Sequence, residues 1–151
     1  MVTKVLFVCT GNICRSPMAE AIFNFKSSDD FIAISAGTLE GEGYEASEHG
    51  IAVLKDRGID LSNHRSQNVD TNLLESVDYV YCMADYHVHF LKRKYPQFKD
   101  KFFKLSDEDI FDPYRHAKDV YEEVADEIEK KIEELLEKIA VWNWWGTFGN
   151  F

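Results

Sequence analysis

The chain has 151 residues, 45% hydrophobic and 29% charged, which suits one compact domain with a core of its own. Lys and Arg total 17 against 27 Asp and Glu, a formal net charge of −10, so neither nucleic acid nor an anionic membrane is expected as a partner. A phosphorylated substrate stays compatible, because one basic pocket can sit on an acidic body.

The first element is the apolar run Val5-Leu6-Phe7-Val8, a buried strand over residues 4–8. It leads into Cys9-Thr10-Gly11-Asn12-Ile13-Cys14-Arg15-Ser16, after which Pro17 opens a helix over residues 16–26. A tight loop between a strand and a helix N-terminus turns backbone N–H groups inward, and the helix dipole adds its positive field. Arg15 contributes a planar fork matched to two phosphoryl oxygens. Cys9 contributes a sulfur nucleophile, so the loop reads as a phosphoryl-transfer site. Asn12, after Gly11, is the loop residue best suited to a left-handed backbone.

A second strand over 31–35 runs into Ala36-Gly37-Thr38, followed by a glycine-rich loop over 39–44 and a helix over 47–57 that Gly58 stops. A third strand is expected over 77–83, a helix over 85–95 closed by Pro96, and a short fourth strand over 102–105. Val120, Val124, Ile128, Ile132, Leu135 and Ile139 mark one stripe of a final helix. Asp126–Lys130, Glu127–Lys131 and Glu134–Lys138 would support its outer face, which reads as plainly solvated.

Strands alternating with helices predict an α/β fold: a single-domain, open four-stranded parallel sheet with helices on both faces, flavodoxin-like and Rossmann-type in its three layers. Ligands in such sheets bind beyond the carboxyl ends of the strands, where Cys9 falls. No run of about 18 apolar residues is present to span a membrane. The N-terminus lacks the pattern of a signal peptide, and three cysteines do not build a disulfide framework, so a reducing cytoplasm is expected. The five histidines are scattered without a ligand pattern, and no metal or cofactor is expected.

Several motifs occur in a fixed order across residues 2–140. They are the Cys9 loop continuing into Pro17-Met18-Ala19-Glu20, then Ser35-Ala36-Gly37-Thr38, then Gly58-Ile59-Asp60 leading to His64. Asp78-Tyr79-Val80 with Cys82-Met83 follows, and Asp112-Pro113-Tyr114 closes the set. In these the chain resembles the low-molecular-weight protein tyrosine phosphatases. The resemblance implies a phosphatase domain over residues 1–140 that hydrolyses phosphotyrosine through a phosphocysteine, with no metal. Cys9 would attack phosphorus, Arg15 and the Thr10 to Ser16 loop would hold the phosphoryl oxygens, and Asp112 would serve as acid and then base. Ser16 would hydrogen-bond the sulfur, while Asn12, Ser35 and His64 would brace the loop, the Asn12 side chain meeting the other two. Ile13, Tyr114 and Tyr44 would wall the substrate, and Cys14 would be the redox partner of Cys9. The implied partners are tyrosine-phosphorylated proteins or peptides, with inorganic phosphate or a similar oxyanion fitting the loop, and the chain itself is expected to be a monomer.

Blander readings stand beside these. His64 suits a surface turn, Cys14 a small buried filler and Cys82 the core. Asp107, Glu108 and Asp109 lie just before Asp112, but only Asp112 has the Pro-Tyr context. Arg115-His116 replaces a family aromatic, and either favours acidic residues around the phosphotyrosine or simply faces water. The aromatic-rich tail, residues 141–151, matches nothing in the pattern and has no assigned role. A protein arginine phosphatase on the same scaffold is the alternative, although the resemblance gives those enzymes threonine where this chain has Ile13. Arsenate reductases need a relay cysteine seven residues after Cys82, where this chain has His89. A cysteine phosphocarrier is the reading from a different class, and the joint presence of Arg15 and Asp112 argues for turnover instead.

Overall fold

A computed structural model describes residues 1–148, with the backbone alone for 143–148. Its elements are β1 (Thr3–Cys9), α1 (Arg15–Lys26), β2 (Phe31–Gly37), α2 (Glu48–Asp56), α3 (Thr71–Ser76), β3 (Tyr79–Cys82), α4 (Asp85–Lys94), β4 (Phe102–Lys104) and α5 (Lys118–Phe148). A 3-10 turn, Pro96–Lys101, leads into β4. All the strand pairings are parallel, in the order β2-β1-β3-β4. The chain leaves β1 to build β2 on one side and later β3 on the other. The carboxyl end of β1 is therefore the topological switch point, the place where such sheets leave a crevice. Cys9 ends β1 there.

β1 is apolar from Val5 onward because both of its faces are covered there, and its two-residue period sorts side chains between two cores. Val5, Phe7 and Cys9 join Met18, Ile22 and Phe23 of α1, Leu54 of α2, and Ile128, Ile132 and Ile139 of α5. Leu6 and Val8 join Leu74 of α3, Leu91 of α4 and Phe102 of β4 on the opposite face. Cys82 belongs to this second core.

Three sequence expectations change. The helix α3 was not foreseen, because six residues carry too little periodicity; its one local signal is Asp70, whose carboxylate accepts the Leu73 N–H at 2.8 Å. The acidic outer face of α5 is not simply solvated. Arg57, just past α2, reaches Glu122, Asp126 and Glu129 at 2.7–3.2 Å, and Lys26 at the end of α1 holds Glu129 and Glu133, both at 3.0 Å. Asp126 goes to Arg57 rather than Lys130, and Lys131 pairs with Glu134 rather than Glu127. Finally, α5 continues through the start of the aromatic tail to Phe148, with the Trp142 ring 5.8 Å from that of Tyr79. Residues 149–151 of that tail lie outside the described residues.

Candidate active site

The Cys9 to Ser16 loop is shaped by where its carbonyls go. Thr38 N–H donates to the Cys9 carbonyl at 3.0 Å, Leu39 N–H to Thr10 at 2.9 Å, and Ser47 N–H to Ile13 at 3.0 Å. His64 Nε2 meets the Asn12 carbonyl at 2.8 Å. With three of these carbonyls held outward by the β2–α2 segment and the fourth by His64 beyond α2, the loop amides face inward. Among the described residues no backbone acceptor pairs the N–H groups of Gly11, Asn12, Ile13 or Cys14. α1 begins immediately afterwards with no side-chain cap and no acidic residue in its first turn. Unpaired amides and an uncapped helix N-terminus converge on one spot, which is an anion site.

Asn12 makes the reversal possible. Its φ of 55° lies in the left-handed region, and its buried side chain is fully engaged. Its Nδ2 donates to Ser16 Oγ at 2.8 Å and Ser35 Oγ at 2.9 Å, while Oδ1 accepts the Gln67 N–H at 3.0 Å. The Asn12 side chain thus meets Ser35, as expected, but His64 binds its backbone rather than its side chain. Ser35 passes the contact on by donating to Glu20 at 3.1 Å. Burial raises the Glu20 carboxyl above its ordinary range and lowers His64 below its own, so His64 is a neutral brace at pH 7.

Cys9 Sγ lies 2.9 Å from Ser16 Oγ. Arg15 is 5% exposed, its guanidinium pinned by the Ile110 carbonyl at 3.0 Å and facing the Asp112 carboxylate at 3.6 Å. Asp112 is half exposed and accepts the Tyr114 N–H at 3.1 Å, which fixes the turn through Pro113. Its acidic neighbour Asp109 is turned to another task, accepting the Asp85 N–H at the start of α4 and pairing with Lys104.

One cavity of about 210 Å³ gathers Cys9, Thr10, Gly11, Ile13, Cys14, Arg15, Asp112 and Tyr114, with Leu39 completing its wall. Tyr44 does not line it; Leu39 occupies the place that the sequence reading gave to an aromatic. Arg115 folds back over the Tyr114 ring at 5.4 Å, in a left-handed conformation with φ 67°. Cys14 Sγ meets Tyr121 Oη at 3.3 Å, and burial pushes both groups up, the phenol to about 12.

Besides Leu39, two residues were missed in the sequence. Tyr121 sits on α5 one position past the apolar stripe and was indistinguishable there from core. His87, 1% exposed, reaches Thr10 Oγ1 at 2.9 Å from α4. A lone histidine in Asp85-Tyr86-His87 gives no local sign of that contact. Among the described residues no group of three or more His, Cys, Asp or Glu is placed to hold a metal ion.

Known proteins of the same kind share this chain along nearly its whole length. Residues 4–141 match the model of the low molecular weight phosphotyrosine protein phosphatases. The chain belongs to that family. A protein-arginine-phosphatase of Geobacillus stearothermophilus is 39% identical over 90% of this chain and 95% of the relative. A probable low molecular weight protein-tyrosine-phosphatase of Ralstonia nicotianae is 32% identical over 92% and 97%. The crystal structure of a low molecular weight protein tyrosine phosphatase from T. tengcongensis superposes with a TM-score of 0.87 at 43% identity, covering 90% of this chain and 99% of that one. The chain is therefore a phosphatase that acts on phosphorylated proteins, and its sheet with helices on both faces is the family fold.

Proposed function

We propose that the chain hydrolyses phosphotyrosine monoesters in proteins through a phosphocysteine on Cys9. The carrying observation is the single cavity in which Cys9, Arg15 and Asp112 meet apolar walls from Ile13, Leu39 and Tyr114. The Cys9 sulfur attacks phosphorus as the bond to the phenol oxygen breaks, and the Asp112 carboxyl gives that oxygen its proton. Arg15 and the inward amides hold the equatorial oxygens as charge redistributes. Water then attacks the phosphocysteine, Asp112 takes its proton, and the sulfur leaves toward the Ser16 hydroxyl. Inorganic phosphate is released from the same amides. The body of the protein, residues 1–140, supplies all these groups in a monomer, and three free cysteines fit a reducing cytoplasm.

Similarity to the Geobacillus protein-arginine-phosphatase favours a second substrate, phosphoarginine. Ile13 weighs against it: an aliphatic side chain at the cavity wall packs on an aryl ring and offers nothing to a guanidinium. Hydrolysis rates for matched phosphotyrosine, phosphoarginine and phosphoserine peptides test the assignment. Phosphotyrosine should be turned over fastest, and Ile13→Thr should shift the ratio toward phosphoarginine. Faster hydrolysis of phosphoarginine by the unaltered chain overturns the reading.

A further inference from the structure

His87 is a buried titratable side chain that touches the phosphate loop and has no part in the mechanism above. It stands in the first turn of α4, whose start is pinned to the segment before Asp112. The Asp85 N–H donates to the Asp109 carboxylate at 2.9 Å, and Lys104 bridges Asp85 and Asp109 at 3.2 and 3.0 Å. The ring is therefore fixed from outside the loop, with Nε2 at 2.9 Å from Thr10 Oγ1. Its other nitrogen, Nδ1, is buried and has no partner among the described residues.

The charged groups facing the ring are Arg15 from α1 and Asp109 and Asp112 from the segment after β4. Burial first, and Arg15 second, push His87 down to about 4, so the imidazole is neutral at working pH. A neutral imidazole carries one N–H and one lone pair. An orphaned buried N–H is rarer and more costly than an orphaned lone pair, so the proton belongs on Nε2 and the bare lone pair on Nδ1. Thr10 Oγ1 is then the acceptor, and its own proton is not consumed by the contact.

We propose that His87 is a positioning residue: as the Nε2–H tautomer it donates to Thr10 Oγ1 and turns the Thr10 hydroxyl proton toward the phosphoryl group held in the loop. In the opposite tautomer Thr10 would give its only proton to the ring and present the anion with a lone pair. The choice of tautomer on α4 thus decides whether Thr10 attracts or repels the ligand. This rests on the loop being the phosphate site and on no particular ester.

Two measurements test it, neither of which requires turnover. Nitrogen NMR of the histidine-labelled native protein at neutral pH should show His87 protonated at Nε2; protonation at Nδ1 overturns the proposal. Calorimetric binding of inorganic phosphate should weaken about tenfold in His87→Leu and equally in Thr10→Val. The double variant should bind no worse than either alone, since both remove one interaction. His87→Gln, which keeps a donor at a similar reach, should restore most of the affinity. Losses that multiply in the double variant, or unchanged binding in His87→Leu, overturn the proposal. Should native protein bind no phosphate at all, the functional reading fails instead, while the NMR result still decides the tautomer.

Discussion

Gly37 and Thr10 meet backbone to backbone. A Cβ placed on Gly37 would lie 2.7 Å from the Thr10 carbonyl oxygen and 3.1 Å from both Gly11 C and Asn12 N. These are main-chain atoms that no rotamer change can move aside. Gly37→Ala should therefore displace the loop, costing about 1–3 kcal/mol of stability. The catalytic loss should be larger in proportion, on the order of 10–100-fold in kcat/KM. Urea unfolding and aryl phosphate hydrolysis read the two effects separately. Unchanged kinetics would show that the loop does not depend on this contact.

Asp112 lies 3.6 Å from Arg15 and half in solvent, as a group that shuttles a proton to and from the cavity should be. Asp112→Asn should slow phenyl phosphate far more than an ester whose leaving group needs no proton, by about 10²–10⁴-fold for the former. Equal losses across a leaving-group series would remove Asp112 from the acid role.

His87 also ties stability to pH. Its folded value, about 4, lies below the ordinary 6.5, so between those limits the unfolded chain binds a proton that the folded chain refuses. Stability should fall as pH drops from 6.5 toward 4, by about 3 kcal/mol in total. His64, lowered by its own burial, adds loss in the same direction. Urea midpoints followed across this window should flatten in His87→Gln. A slope unaltered by that substitution would place the acid sensitivity elsewhere.

Cys14 is buried against Tyr121 in the same cavity that holds Cys9. Peroxide converts the Cys9 sulfur to a sulfenic acid, and attack by Cys14 would close a disulfide with loss of water. Recovery of activity with dithiothreitol after a brief peroxide pulse should be nearly complete in the native chain and several-fold poorer in Cys14→Ser. Equal recovery would leave Cys14 a packing residue.

The sequence made the anion loop legible because one short segment carries it. Cys9, Asn12, Arg15 and the strand–helix setting are local, and so is the apolar stripe from Val124 to Ile139, which the structure buries. What sequence could not reveal is most of the pairing at a distance. Arg57 and Lys26 reach across to α5, His87 crosses from α4 to Thr10, and Leu39 fills the wall sought in Tyr44. Each depends on which helices the crossovers bring side by side, a property of the assembled sheet. The helix α3 was lost for the opposite reason, being too short for any period to show.

The outward-held carbonyls carry a consequence for anyone wishing to borrow this loop. Thr38, Leu39, Ser47 and His64, all distant in the chain, are what turn the Cys9, Thr10, Ile13 and Asn12 carbonyls away from the cavity. Transplanted alone onto another strand–helix junction, the eight residues would keep their spelling and lose their polarity. A working graft has to carry the chain from β2 through His64 with it, which makes the unit of inheritance a pair of segments and not a motif.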